Sequence, residues 1–144
     1  MKTLSLTQPW ATLIAIGAKK IETRSWGTNH RGPLVIHASK AFPRDAQDFC
    51  AKEPFRTVLQ THFGPDWYPN DLPLGCILAI TTLKTCMRMT EHLIAGIESP
   101  ERDFGNYEVG RYAWFLGEPH VLPEPIPAKG SLGLWEYTFS KGEK

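Results

Sequence analysis

The sequence predicts an α+β fold, a mixed β-barrel with short peripheral helices. Apolar stretches of strand length recur along the whole chain. Segments with helical periodicity are short and lie mainly in the first half, and glycine-, proline- and asparagine-rich turns separate the pieces. The 144 residues suit a single domain spanning 1–144, with 42% apolar and 22% charged side chains, a balance that closes a core rather than leaving the chain disordered. No internal repeat, domain linker or low-complexity tract interrupts it.

The elements follow in order. Residues 4–6 read as a short opening strand. Thr7-Gln8-Pro9 starts a helix over 9–16, with Thr7 as cap and proline tolerated in the first turn. Trp10, Leu13 and Ile14 recur at helical spacing and are expected in the core, and Gly17 ends the helix in a left-handed turn. Residues 20–26 (KIETRSW) are extended, 27–32 form a loop, and 34–38 (LVIHA) form a strand apolar enough to be buried on both faces. Residues 43–63 hold two short helices broken at Pro54, with Phe49, Val58 and Leu59 as core candidates. A loop over 64–73 (GPDWYPNDLP) precedes a long central strand over 75–85. A helical turn over 89–96, a polar loop over 99–110 and a strand over 112–116 come next. Four prolines make 119–127 an extended connection, and 134–139 (LWEYTF) closes the sheet.

Net charge is +1, but it is unevenly spread. Residues 1–44 carry seven basic side chains against Glu22 alone, a net of +6, whereas the remaining residues carry nine basic and fourteen acidic ones, a net of −5. Such asymmetry points to one positive face. The three cysteines, Cys50, Cys76 and Cys86, form no CxxC pair, and the five histidines show no metal spacing. Reduced thiols, no metal and no cofactor are expected. No apolar run approaches a membrane span and no signal peptide is visible, so a cytoplasmic location, or a nuclear one in a eukaryote, is expected.

The 20–26 segment carries the chemistry. Strand alternation places Lys20, Glu22, Arg24 and Trp26 on one face and Ile21 and Thr23 on the other. That face allows three roles. Arg24 and a lysine can bind phosphate while Glu22 orients Arg24 or accepts from a base. A desolvated lysine and Glu22 can act as base and acid. The same residues can also form a salt-bridged exposed strand. Trp26 and Trp114 are candidates for stacking on a base, whereas Trp10 and Trp135 are read as core. Trp67 and Tyr68 form a loop that can serve as a lid. His30 and Arg31 follow Trp26 as a phosphate clamp or a solvated loop. His37 is either a satisfied core histidine or a general base, Lys40 and Arg44 extend the basic face, and Arg111 and Tyr112 reach the cleft from across the sheet. The pattern Gly130-Ser131-Leu132-Gly133 is not a phosphate loop of the GK[ST] type, because that signature and its helix do not follow.

The stretch SLTQPWATLIAIGAKKIETRSW resembles the opening of ASCH domains, with Gln8-Pro9-Trp10 on a short helix, Gly17-x-Lys19, and Glu22-x-Arg24. PNDLPLGCILA, FGNYEVGRYAWFL and IPAKGSLGLWEY are also similar to family members, both the domains carried by transcriptional coactivators and stand-alone bacterial and phage proteins. The resemblance implies a PUA-like barrel with a cleft beside its first helix. It also implies binding of single-stranded RNA or DNA, or of a nucleotide-type small ligand, and it adds Gln8 and Lys19 to the ligand-contacting set of Lys20, Glu22, Arg24, Trp26, His30, Arg31, Lys40 and Trp114. Some members are ribonucleases, and one bacterial branch is an amidohydrolase on acylated cytidine. An enzyme would use Lys20, Glu22 and His37 as its catalytic groups. That amidohydrolase branch has a threonine three residues after its lysine. Counted from Lys19, that position holds Glu22, and the adjacent Thr23 points to the opposite strand face. Glu22 activating a water is the version this sequence allows.

Overall fold

The computed structural model describes residues 1–142. Its elements are β1 (Lys2–Leu6), α1 (Trp10–Ala15), β2 (Ile21–Arg24), β3 (Gly32–Ala38), α2 (Arg44–Phe49), α3 (Phe55–Phe63), β4 (Cys76–Arg88), α4 (Glu91–Ala95), α5 (Glu101–Phe104), β5 (Tyr112–Leu116), β6 (His120–Pro127) and β7 (Leu134–Glu136), with a 3-10 turn at Pro69–Asp71. One seven-stranded sheet runs β2-β5-β4-β3-β1-β7, with β6 joined to β4. β1 and β3 pair in parallel, and the other pairs are antiparallel. The α+β class is as the sequence predicts.

The barrel, however, does not close. The path ends at β2 on one side and β7 on the other, leaving open edges among the described residues. Two local causes are visible. The outer hydrogen-bonding groups of β2 and the residue before it are taken by side chains, those of Lys19 and Glu22 and two from the segment after α4. Glu101 accepts from the backbone N–H of Lys20 (2.7 Å) and Ile21 (3.3 Å), and Arg111 Nη2 donates to the Thr23 carbonyl at 3.4 Å. β6 holds Pro123, Pro125 and Pro127, which have no N–H to give a further strand, so it sits at an edge. The proline-rich segment is thus a strand, not merely an extended connection, and Cys76–Ile80 of β4 hold it in place. β4 is 13 residues long because it serves β6 over Cys76–Ile80 and β5 over Leu83–Arg88, with a register shift inside each pairing.

Helix α1 sits between this sheet and the small helices. Ile14, Ala11 and Ala15 pack on Leu4, Leu34, Ile36, Leu78 and Trp114, whereas Leu13 packs on Cys50, Phe55, Leu59 and Phe104. A helix buried on both sides tolerates few polar residues. Burial of Leu13 and Ile14 stabilises the fold by ~1.5–3 kcal/mol each. Gly17 ends the helix at φ 82°, as expected. The predicted Thr7 cap is absent. Instead Gln8 Oε1 accepts the Thr12 N–H at 2.9 Å, and Gln8 Nε2 donates to Thr12 Oγ1 at 2.7 Å and the Pro73 carbonyl at 2.9 Å.

β3 is buried on both faces, as predicted. Leu34, Ile36 and Ala38 face α1, while Val35 meets Ile77 and Leu122 on the other side. His37 shares the Val35 side by alternation. The break at Pro54 separates α2 from α3. The polar loop expected over 99–110 contains α5, whose Phe104 anchors it in the core at 1% exposure. No helix of the described residues is long and apolar enough to cross a membrane.

Candidate ligand-binding cleft

Lys19 and Lys20 are neighbours in sequence and border the same small cavity, but one is buried and the other exposed. Lys19 is buried, with Nζ donating to the Ile21 carbonyl and lying 3.8 Å from Glu22 Oε1. Burial pulls its ammonium below the ordinary lysine range, opposed by the negative charges of Glu22 and Glu101. Lys20 is exposed and lines a separate small cavity beside Lys84 and Gly117. The expected single face of Lys20, Glu22, Arg24 and Trp26 is therefore split, because the strand begins only at Ile21 and ends at Arg24.

Glu22 is 6% exposed and satisfied on several sides. Its Oε1 accepts the Thr23 N–H at 3.1 Å, and its Oε2 holds Arg24 Nη1 at 3.1 Å. Arg24 Nη2 also donates to the Ser5 carbonyl at 3.3 Å, and its guanidinium lies 5.8 Å from the centre of the Trp26 ring. Arg24 Nε is buried and makes no hydrogen bond in the protein. The guanidinium is thus fixed at two points, through Nη1 and Nη2. Thr23 accepts the Asn106 N–H through its hydroxyl at 3.0 Å and borders the same cavity as Glu22 and Arg24.

Beside this ion pair opens a cavity of about 290 Å³. Trp10, Phe49, Phe55 and Phe104 give it aromatic walls, and Glu22, Arg24, Asp103, Asn106 and Arg111 supply polar groups. Trp10 meets Phe49 and Phe55 edge-on, with centroids 5.2 and 6.0 Å apart. Trp10 is half-buried: it packs against the core cluster of Leu13, Cys50 and Phe55, as expected, and also lines the cavity. The helical period placed it correctly on the inward side of α1, and that side also faces the cavity. Arg111 does reach the site, with Nε donating to the Asn106 carbonyl at 3.0 Å.

Other expected contacts are placed differently. Gln8 is fully buried and spent on α1, as described above. Trp114 is fully buried, with Nε1 donating to the Trp26 carbonyl at 3.2 Å and its ring packed edge-on against Trp26 at 4.9 Å. Neither offers a surface to a ligand in this structure. Trp26 is half-buried behind Arg24 and lines neither the aromatic cavity nor its neighbour. His30 Nε2 binds the Pro33 carbonyl at 2.9 Å, while Arg31 is exposed and donates to the carbonyls of Thr28 (2.9 Å) and His30 (2.8 Å), closing the loop on itself. Lys40 is exposed on a second cavity that also has Arg24 in its wall. His37 is 1% exposed and hydrogen-bonded to Ser5 and the Ala128 carbonyl. Arg44 pairs with Asp48 at 3.5 Å, and Lys2 pairs with Glu136 at 3.0 Å. The predicted positive face thus narrows to Arg24, Lys40 and their neighbours. Burial raises the Cys50 thiol to about 11 and lifts Cys76 as well, so neither is a ready nucleophile.

The profile of the ASCH domain family matches residues 4–116. The chain is also similar to "Activating signal cointegrator 1" of Mus musculus and of Homo sapiens, each 29% identical over 134 residues. Those 134 residues are 92% of this chain but 22% of either relative, so the chain spans about a fifth of their length. The match begins at β1 and ends with β5, and so takes in the Glu22–Arg24 pair and the aromatic cavity. The chain belongs to the ASCH domain family.

Proposed function

We propose that the chain is a nucleotide-recognising module that takes a base of single-stranded RNA or DNA, or of a free nucleotide, in the aromatic cavity beside Arg24. The observation that carries this reading is the combination of aromatic walls with a guanidinium at the cavity wall that Glu22 and the Ser5 carbonyl hold in place. A base gains from an aromatic face whatever its identity, and Asp103 and Asn106 in the cavity wall supply polar groups for its edge. A volume of about 290 Å³ lies at the small end of ligand pockets, suited to one base rather than a duplex. Glu22 orients Arg24, the first of the roles its position allowed. We set this role in RNA- or transcription-related regulation, in keeping with relatives named as activating signal cointegrators.

The alternative is a metal-independent hydrolase using lysine and glutamate. The geometry favours binding over this, since Lys19 is enclosed and Lys20 lines another cavity.

The test is fluorescence anisotropy with labelled single-stranded RNA and the matching DNA, for wild type and Trp10→Ala, with Trp10→Phe as a folded control. Stacking on one aromatic ring contributes about 1–3 kcal/mol, so Trp10→Ala is expected to weaken binding by about five- to a hundredfold and Trp10→Phe far less. Equal binding by wild type and Trp10→Ala would remove the base from this cavity. Chromatography of the same mixtures reads turnover, and product lost in Glu22→Gln would make the cleft an active site.

A further inference from the structure

A second and larger cavity, about 770 Å³, lies across Arg24 from the aromatic one. It differs in chemistry. Arg24, Lys40 and Lys129 line it with the hydroxyls of Ser5, Ser39 and Ser131, and no acidic residue lines it. Glu22 already partners Arg24, so the uncompensated charge comes from the two lysines. Neither lysine forms an ion pair among the described residues.

The floor of this cavity is built, not incidental. Ser5 and His37 are direct cross-strand partners of β1 and β3. His37 Nε2 lies 2.8 Å from the Ala128 carbonyl, which only accepts, so this nitrogen carries the proton. His37 Nδ1 then faces Ser5 Oγ at 2.9 Å, and Trp135 Nε1 donates to the same Oγ at 3.0 Å. The backbone at Gly130 lies directly on this pair. A Cβ there would stand 2.7 Å from His37 Cε1 and 2.8 Å from Ser5 Oγ, so only glycine permits the approach. The approach fixes the backbone between Lys129 and Ser131, both of which line the cavity.

We propose that this cavity binds the phosphate of the nucleotide whose base occupies the aromatic cavity, with Arg24 as the wall shared by both. The proposal rests on the nucleotide reading above and adds a second contact point. A tetrahedral oxyanion matches a guanidinium edge, two ammonium groups and several hydroxyl donors, in a cavity with no carboxylate to repel it. The site is not a phosphate loop of the glycine-rich type. No helix follows Gly133, and the cations come from three separate segments, β2, the turn after β3 and the turn after β6.

The test compares a nucleoside, its 5′- and 3′-monophosphates, a dinucleoside monophosphate and inorganic phosphate. Each is titrated into wild type and into the Lys40→Gln/Lys129→Gln double variant, at low and moderate salt. The expected result is at least tenfold tighter binding of a monophosphate or of the dinucleotide than of the nucleoside. That advantage shrinks in the double variant and in salt, while nucleoside affinity holds. Preference for a monophosphate over the dinucleotide identifies a strand end, and the reverse identifies an internal phosphodiester. Equal binding of nucleoside and nucleotides by wild type would overturn the phosphate site while leaving the base cavity standing. If no nucleoside or nucleotide binds, the nucleotide reading fails and inorganic phosphate decides the cavity alone. A thermal shift with phosphate in wild type that the double variant lacks supports the site, and no difference overturns it.

Discussion

The two cavities on either side of Arg24 are opposites. The aromatic one is walled by side chains from α1, α2, α3 and α5 and contains Glu22 and Asp103. The cationic one is formed by strand ends and the 128–133 segment and contains no acid. Helices supply broad apolar walls because their inward faces must pack anyway. Strand ends and turns supply separately placed polar groups. A single arginine belongs to both because alternation along β2 puts it beside Glu22, while its other edge reaches Ser5 on β1. The comparison separates two jobs, apolar contact with a flat ring and charge contact with an anion, and makes Arg24 the element that registers one against the other.

Removing the anchor is expected to have the largest effect. In Glu22→Gln, Lys19 keeps its buried ammonium with only the Ile21 carbonyl and distant Glu101 to offset it. Breaking a buried pair costs about 3–5 kcal/mol, so a loss of roughly 3 kcal/mol in urea unfolding is expected, together with weaker ligand binding. Lys19→Met/Glu22→Gln, which removes both charges, is expected to recover much of that stability. A stable single variant would mean that Lys19 is not held by Glu22.

Arg24→Ala comes next and breaks the comparison itself. Loss of a charge-assisted hydrogen bond costs about 1.5–3 kcal/mol, so roughly ten- to a hundredfold weaker nucleotide binding is expected. Arg24→Lys is expected to rescue little, because an ammonium cannot hold Glu22, the Ser5 carbonyl and a ligand in one plane. Full rescue by lysine would reduce Arg24 to a point charge.

The smallest expected effect sharpens the boundary of the site. Lys20→Ala lies outside both cavities and is expected to change nucleotide affinity less than twofold and stability by no more than about 0.5 kcal/mol. A tenfold loss would move the site to the small cavity beside Lys84.

Much of this was legible in the sequence, for physical reasons. The order of strands and short helices followed from periodicity and turn residues, and the Glu22–Arg24 relation followed from strand alternation. Other features depend on tertiary placement. Alternation could not reveal that Lys20 precedes the strand rather than belonging to it, nor that the inward side of α1 opens onto a cavity at Trp10. Gln8 reads as a polar contact, yet its amide replaces a helix cap, and Thr12 Oγ1 and the Pro73 carbonyl satisfy its buried N–H groups. Barrel closure is not legible, because Glu101 and Arg111, remote in sequence, occupy β2 groups that a closing strand would need. One signal was present but unused. Lys129 beside Gly130 places a cation next to a residue that permits close backbone approach, and His37 was already marked as a histidine on an apolar strand.

The most direct measurement is a chemical-shift titration of the isotope-labelled protein with a nucleoside monophosphate. The Trp10 indole N–H and the amides of Glu22, Thr23, Arg24, Gly105 and Asn106 are expected to shift together, with Lys129 and Gly130 following the phosphate and Lys20, Lys84 and Gly117 staying still. Shifts gathered around Lys20, Lys84 and Gly117, with Trp10 unmoved, would contradict a nucleotide spanning the two cavities.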